Sequence, residues 1–176
     1  VGLQARCSPA HLAMKELIEE GYVGEVLSCH MTQFGSGVLS RTSDRTWQRD
    51  RTLGANTLTI AFGHTIDALC MCLAEFKDVS AVVSTQVPQW YETDKQRSVD
   101  VTSPDNILVS GTLESGAVVS AHVASQPWHG SGFRLEVYGR DGTLVLTGSE
   151  DRTAKVWNAG TEEELRTFTG HASRVE

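Results

Sequence analysis

One short segment of the sequence combines two residues that could exchange a proton with a bound hydroxyl group. His64 lies three residues before Asp67 in the run Gly-His-Thr-Ile-Asp. On a helix, residues three apart share a face, so a carboxylate at Asp67 could orient the imidazole of His64 or raise its pKa. The segment makes His64 a candidate site residue. The alternative is a helical histidine that is hydrogen-bonded in the core.

Two tryptophans lie in loops that are rich in small polar residues. Trp47 precedes Arg49 and Asp50, and Trp128 is followed by His129. An indole beside polar groups can stack on a sugar ring, although a loop aromatic can equally pin its loop to the body of the domain. We expect Trp128 to contribute to substrate binding.

The glycine-rich and cysteine-containing segments lack the spacing of a cofactor or metal site. Gly35-Ser36-Gly37 and Gly130-Ser131-Gly132 do not continue to the further glycine of a dinucleotide fingerprint. Cys70 and Cys72 are separated by one residue, whereas zinc and redox pairs are separated by two. We therefore expect no cofactor and no metal in this chain, and reduced core thiols in a cytoplasmic protein.

Two predicted helices must position these candidates. Ser8 as N-cap and Pro9 at the first helical position begin a helix that ends at Gly21. A second helix, apolar nearly all round, is predicted from about residue 57 to residue 73. Between the helices, the polar stretch 35–56 is long for a connection without structure, so we expect an ordered or functional surface loop.

The remaining pattern indicates strands. Residues 26–34 alternate with a period of two, which predicts Leu27, Cys29 and Met31 on one face. Further strand-like segments lie at residues 79–86, 107–113, 117–125, 133–138 and 143–147. Two helices followed by antiparallel strands predict an α+β domain whose sheet is covered on one face.

The overall composition excludes two classes of partner. The chain has 176 residues, a formal net charge of -7 and basic residues that are scattered along the sequence. Binding to nucleic acid through phosphate neutralisation is therefore not expected. No uninterrupted apolar run approaches the roughly 20 residues of a membrane span, so we expect no membrane association.

Residues 1–147 resemble the C-terminal domain of the Gfo/Idh/MocA oxidoreductases. The resemblance rests on the order of several short landmarks, which are Val1 to Arg6, Ser8-Pro9, Lys15 to Ile18, Gly24 to Ser28 and Tyr138 to Leu144. It implies an open, mixed, largely antiparallel sheet with helices on one face. It also implies a Rossmann domain as partner, NAD or NADP in the full-length protein, and dimerisation through the open sheet face.

The chemical landmark of the resemblance is the segment that contains His64. It is similar to the family's Asp-x-Gly-x-His-x-x-Asp pattern, in which the histidine accepts a proton from a sugar hydroxyl. The resemblance thus implies a catalytic role for His64 and substrate contacts from Asp67. Ile60 replaces the first aspartate of the pattern, and Phe62 replaces its glycine. These departures call catalysis into question.

A fungal branch of the family, which includes galactose-pathway repressors, is similar at Gly54-Ala55-Asn56-Thr57-Leu58 and at the His64 segment. We expect Asn56 to contact the ligand. In this branch dinucleotide binding senses metabolic state without turnover. A non-catalytic regulatory sensor is therefore an alternative to an enzyme.

The last residues, 148–176, resemble part of a WD40 repeat. Asp151-Arg152 would form a turn between its strands, and Gly170-His171 matches the dipeptide that opens a further repeat. A single repeat cannot form a propeller. We expect a short β-hairpin that is added to the sheet edge and contributes little to the core. Partner recruitment by this tail is a further alternative function.

The sequence thus predicts the substrate-side domain of an NAD(P)-dependent oxidoreductase that acts on a sugar or polyol hydroxyl. Without its Rossmann domain the chain is expected to be inactive. Its expected partners are that domain, a small sugar-like substrate and a second copy of the chain.

Overall fold

The computed structural model describes residues 2–148 and 153–169. Its strands are β1 (Val26–Gly35), β2 (Ser40–Arg41), β3 (Phe76–Ser84), β4 (Gln89–Glu92), β5 (Arg97–Asp100), β6 (Asn106–Leu113), β7 (Val118–Ser125), β8 (Gly132–Gly139), β9 (Thr143–Gly148), β10 (Ala154–Asn158) and β11 (Glu163–Phe168). Eight of them form one sheet in the order β11-β10-β9-β8-β1-β7-β6-β3. In this sheet β1 and β7 pair in parallel, and the other neighbours pair antiparallel. The predicted open, mixed, largely antiparallel sheet is confirmed.

Helix α1 (Pro9–Glu19) packs against β9, β10 and β11 through an apolar stripe. Proline at its first position has a φ that suits a helix, and Gly21, at φ +80°, allows the chain to leave it. Ser8 occupies the N-cap position as predicted, but its side chain makes no capping hydrogen bond.

Helix α2 (Gly63–Cys72) continues from a π-helical turn at Leu58–Phe62. In that turn the amide of Phe62 donates to the carbonyl oxygen of Thr57 over 2.8 Å, one residue further back than in an α-helix. Asn56 precedes the turn, and its Oδ1 accepts the amide of Leu58 at 3.0 Å. The predicted second helix therefore exists, with a wider first turn.

The main core lies between the helices and one face of the large sheet. Along β1, Cys29 and Met31 are buried in this core and His30 between them is exposed, as the alternation predicts. Leu27 is the exception, with 46% of its surface exposed. The register between β1 and β8 shifts between Val26 and Ser28, and such an irregularity turns the intervening side chain to the other face.

The C-terminal hairpin of β10 and β11 extends the large sheet beyond β9. The predicted hairpin at the sheet edge is confirmed, but the expectation that it adds little to the core is wrong. Val156 is 0% exposed and Ala154 is also buried, and both belong to the main core. This follows from the pairing, which places Val156 opposite Leu146 of β9. Hydrogen bonds also join Arg166 to Glu16 of α1 at 2.9 Å.

The proposed WD40 features are only partly within the described residues. The Asp151-Arg152 turn and the Gly170-His171 dipeptide lie outside them. The division of the chain into residues 1–147 and 148–176, and the likeness to a WD40 repeat, stay predictions.

A second, smaller sheet has the order β2-β4-β5 and carries its own apolar cluster of Val38, Trp90 and Val101. The predicted polar connection 35–56 contributes β2 and two 3-10 turns, at Thr46–Arg49 and Arg51–Leu53. Strands β4 and β5 were not predicted, because their residues do not form a clear apolar alternation.

The face of the large sheet away from the helices is open. It carries Val82 and Leu108, which are direct partners on β3 and β6, together with Val118 of β7. Among the described residues no helix is long and apolar enough to cross a membrane.

Candidate functional site

The candidate residues of the second helix lie in three successive parts of one segment. Asn56 precedes the π-helical turn, Ile60 lies within it, and His64 lies in the first turn of α2. Local hydrogen bonds fix the beginning of this segment, since the Thr59 hydroxyl donates to the carbonyl oxygen of Gly54 at 2.6 Å. The helix entry and the candidate base are therefore parts of one rigid element.

Beside this helix entry lies a cavity of about 230 Å³, which we call the polar cavity. It is lined by Arg41, Arg45, Gln48, Asn56, Thr57, Ile60, Ala61, Trp90, Ser103, Pro104, Asp105 and Ser125. A second cavity of about 180 Å³ shares Arg41, Ala61 and Ser125 with it. The two cavities therefore adjoin where β2, the π-helical turn and the end of β7 meet.

The Arg41 side chain crosses the boundary between the two cavities. Its Nη1 donates to Oε1 of Gln48 at 2.6 Å, and its guanidinium carbon lies 4.2 Å from the centre of the Trp90 ring. This is a cation–π arrangement, which holds the guanidinium over the indole face. Burial lowers the pKa of Arg41, and the positive charge of Arg45 lowers it further.

The carboxylates of this region already accept hydrogen bonds. Asp105 is buried and accepts the amides of Gln86 at 2.8 Å and Val87 at 2.7 Å. Glu92, also buried, accepts from Arg97 Nε and from the Thr46 hydroxyl, each at 2.6 Å. These bonds are strong because the acceptors are charged. They anchor the small sheet to the loop that carries Arg41.

His64 is half-buried, and its ring makes no hydrogen bond to any residue that the structure describes. The structure therefore does not show the hydrogen-bonded core histidine of the alternative interpretation. His64 does not line either of the two cavities described above. Its predicted catalytic role stays a prediction.

Asp67 makes a different contact from the one predicted for it. Its two carboxylate oxygens accept from Arg6, with distances of 2.7 Å and 2.8 Å. Among the described residues it makes no hydrogen bond to His64, so it does not orient the imidazole in this structure. The partner lies 61 residues away in sequence, and a pattern within one helix cannot indicate it.

Asn56 lines the polar cavity, whereas Trp128 does not. Trp128 lies in the connection between β7 and β8, and 86% of its surface is exposed. The structure thus places Asn56 and Ile60 together and leaves Trp128 apart from them. Sequence reasoning missed Arg41, Gln48 and Trp90, although the arginines of the polar loop were a signal that it did not use.

A family model and several relatives lead to one family. The family model described as Gal80p, C-terminal domain, matches residues 9–148. The dehydrogenase aclE of Aspergillus oryzae is 30% identical over 154 residues, which cover 84% of this chain and 42% of that protein. The galactose/lactose metabolism regulatory protein GAL80 of Saccharomyces cerevisiae is 32% identical over 126 residues, covering 67% of this chain and 29% of that protein.

Solved structures lead to the same group. A super-repressor mutant of Gal80p from Saccharomyces cerevisiae superposes with a TM-score of 0.81 at 25% identity, covering 98% of this chain and 46% of that one. Levoglucosan dehydrogenase in complex with NADH and levoglucosan superposes with a TM-score of 0.76 at 25% identity, covering 96% and 46%. The chain spans less than half the length of these relatives.

Proposed function

Because the chain belongs to the family of Gal80p C-terminal domains, within the Gfo/Idh/MocA oxidoreductases, we propose that it is the substrate-side domain of an NAD(P)-dependent oxidoreductase acting on a sugar or polyol hydroxyl. The observation that supports this most directly is the helical segment that places Asn56 and Ile60 in the lining of the polar cavity and continues into α2 with His64. Relatives that include a levoglucosan dehydrogenase with bound NADH support the substrate class and the cofactor.

In this proposal His64 accepts the proton of the substrate hydroxyl. A half-buried imidazole without a hydrogen-bond partner in the described part of the chain is free to receive one. Asn56, whose Oδ1 fixes the helix entry, and Trp128 are proposed to contact the ligand. Asp67 acts at a distance, because its ion pair with Arg6 holds α2 to the N-terminal residues.

The cofactor would be held mainly by residues outside this chain. In residues 2–148 and 153–169 no glycine-rich turn leads from a strand into the N-terminus of a helix, which is the element that binds a dinucleotide pyrophosphate. When bound, NAD or NADP accepts a hydride from the carbon that carries the substrate hydroxyl. The contribution of this chain is to bind the substrate and to remove the hydroxyl proton.

A regulatory sensor is a second candidate, and two features of the site favour it. Ile60 places an apolar side chain where the family pattern has a carboxylate, and Asp67 is engaged by Arg6. His64 therefore has no carboxylate partner on its own helix, and such a partner is what usually orients a catalytic imidazole. A domain of this kind could bind ligands without turning them over.

The full-length protein, with its nucleotide-binding domain, distinguishes an enzyme from a sensor. His64→Ala should lower turnover of a sugar or polyol by about 10²–10⁴-fold if the imidazole is the general base, and should leave NAD(P) binding unchanged. His30→Ala, at an exposed histidine of β1 that lines neither cavity, is the matched control and should retain full turnover. Turnover of His64→Ala within a few-fold of the parent would exclude this role. A parent protein without turnover of any sugar or polyol would favour the sensor.

We further propose that two copies of the chain associate through the open face of the large sheet. Val82, Leu108 and Val118 are exposed large apolar residues on this face, and Val82 and Leu108 are direct neighbours. Exposed apolar surface of this kind can mark an interaction site. Leu108→Glu should convert a dimer into a monomer in sedimentation velocity. Leu53→Glu, at an exposed leucine outside the sheet, should not. A parent protein that sediments as a monomer would contradict the proposal.

An interaction module would have to use β11 of the tail. β10 is paired on both sides, with β9 and with β11, whereas β11 is the edge strand of the large sheet.

A further inference from the structure

Two residues that line the polar cavity carry buried nitrogen donors that have no partner in the described part of the chain. The atoms are Nε of Arg41 and Nε1 of Trp90, and only 5% of the surface of Trp90 is exposed. A buried N–H without an acceptor is destabilising, so such groups are rare unless something binds them. Both residues line the same cavity.

The positive charge of this cavity is also without a carboxylate partner. Among the described residues neither Arg41 nor Arg45 has a carboxylate oxygen within 4.0 Å. The acid that lines the cavity, Asp105, already accepts two backbone amides and the side-chain amide of Asn106. A partly buried guanidinium without a counter-ion is costly, and a bound anion would offset this cost.

The lowered pKa of Arg41 is consistent with an uncompensated positive charge in the cavity, because burial and the like charge of Arg45 both act against the protonated form of Arg41. Arginine nevertheless stays protonated in proteins. The charge must therefore be balanced by solvent or by a ligand. Gln48, which accepts from Arg41, fixes the direction of the guanidinium plane.

We propose that the polar cavity binds the carboxylate or phosphate group of a small ligand, with Arg41 and Arg45 as its cationic contacts and the Trp90 indole N–H as a further donor. Guanidinium groups bind such planar or tetrahedral oxygen anions in preference to neutral hydroxyls. The inference deepens the proposed function. It rests on that function in one respect, namely that the sugar part of the ligand extends along the helix from Asn56 towards His64.

The size of the cavity limits the ligand. At about 230 Å³ it is smaller than the 300–1,000 Å³ typical of sites for drug-sized molecules. It suits one anionic group with a few attached carbons. A sugar acid and a sugar phosphate both meet this description, and a neutral sugar such as glucose does not supply the charge.

Calorimetric titration of the 176-residue chain with gluconate, glucose 6-phosphate and glucose tests the proposal. We expect at least one anion to bind about tenfold or more tightly than glucose, since hydrogen bonds to a charged group contribute about 1.5–3 kcal/mol. Tighter binding of gluconate would identify a carboxylate site, and tighter binding of glucose 6-phosphate a phosphate site. Equal affinity for all three sugars, or no saturable binding of either anion, would overturn the proposal.

Variants locate the binding site. Arg41→Gln and Arg45→Gln should each weaken anion binding about tenfold or more, and Arg41→Lys, which keeps the charge, should retain part of it. Arg45 is exposed, so its replacement tests the site even if Arg41→Gln does not fold. Arg140→Gln removes the same charge at a distant surface ion pair with Glu25 and is the control. Anion binding that survives both Arg41→Gln and Arg45→Gln would exclude this cavity.

These measurements are separate from the test of catalysis. Anion binding by a full-length protein without turnover would leave the site intact and contradict the oxidoreductase. Turnover of neutral sugars by a protein that binds neither anion would support the oxidoreductase and contradict the anion site.

Discussion

The large and small sheets of this domain are stabilised in different ways. The large sheet buries a continuous apolar core that extends from Met14 of α1 to Val156 of β10. The small sheet has three buried apolar residues, and charged hydrogen bonds such as that between Glu92 and Arg97 supply its other links. Apolar burial is non-directional and proportional to area, whereas hydrogen bonds fix positions but contribute little net stability.

This difference assigns separate tasks to the two regions. The large sheet supplies the stability of the domain. The small sheet, which includes Arg41 on β2, supplies directed polar groups beside the helix entry at Asn56 and Ile60. Buried nitrogens without a partner occur in both regions: the two ring nitrogens of His11 lie in the core of the large sheet, and Nε of Arg41 and Nε1 of Trp90 lie in the small sheet. Only the second pair belongs to residues that line the polar cavity. Ligand binding is therefore expected to alter the small sheet more than the large one.

The largest expected effect is a pH dependence that originates in the core of the large sheet. His11 of α1 is 4% exposed, its ring lies 5.3 Å from that of Phe133, and burial lowers its pKa to about 4. Its ordinary pKa is 6.5, so the unfolded chain binds the proton first as the pH falls. Stability is fully present above pH 6.5 and decreases down to about pH 4, by about 3 kcal/mol in total.

The test is urea unfolding across this pH range for the parent and for His11→Leu. The variant should lose the slope between pH 6.5 and 4 that His11 causes, while the slope from carboxylates stays. His129→Leu, at an exposed histidine, is the control and should keep the parent's profile. An unchanged profile in His11→Leu would show that His11 does not titrate differently in the folded chain.

A matched pair of valines compares the two regions directly. Val156 of β10 is 0% exposed and Val38 beside the small sheet is 1% exposed. Val156→Ala should lower the free energy of unfolding by about 2 kcal/mol, because the surrounding core cannot close around the lost methyl groups. Val38→Ala should cost about half as much, because its small cluster can rearrange next to the cavity.

Urea midpoints at constant pH measure both values. A larger loss for Val38→Ala than for Val156→Ala would contradict the assignment of stability to the large sheet. A negligible loss for Val156→Ala would restore the view that the hairpin contributes little to the core.

The sequence predicted the elements whose patterns are local. The amphipathic spacing in α1 and the alternation at Cys29 and Met31 correspond to buried positions in the structure. A periodic pattern indicates which side of a single helix or strand faces the core. It carries no information about the register between neighbouring strands. The irregularity that exposes Leu27 and the pairing that buries Val156 both arise from contacts between strands. They were therefore beyond prediction from the sequence pattern.

The candidate site was predicted only in part, because the sequence pattern indicates local spacing but not contacts between separate elements. The helical spacing of His64 and Asp67 is local, and the structure places both residues in α2 as predicted. The pairing of Asp67 with Arg6 spans 61 residues, and the stacking of Arg41 on Trp90 joins two separate elements. A single sequence gives no sign of either contact. The polar cavity, which depends on the second of them, was therefore not foreseen.

The smallest expected effect concerns the polar links of the small sheet and distinguishes them from the apolar core. The hydrogen bond from Arg97 lowers the pKa of Glu92 below its ordinary 4.5, and the bond from the Thr46 hydroxyl lowers it further. A lowered pKa in the folded chain means that this carboxylate stabilises the small sheet above pH 4.5 and loses that contribution as the pH falls through its folded value.

Arg97→Gln should therefore raise the pKa of Glu92 towards 4.5, and Thr46→Val should raise it less, because its bond is the smaller cause. Titration of the Glu92 carboxyl carbon by NMR measures both shifts, with Arg140→Gln as a distant control that should leave the value unchanged. Arg97 is itself largely exposed, so solvent screens the pair and only a modest shift is expected. A Glu92 pKa that does not respond to Arg97→Gln would mean that the small sheet, like the large one, does not depend on its charged hydrogen bonds.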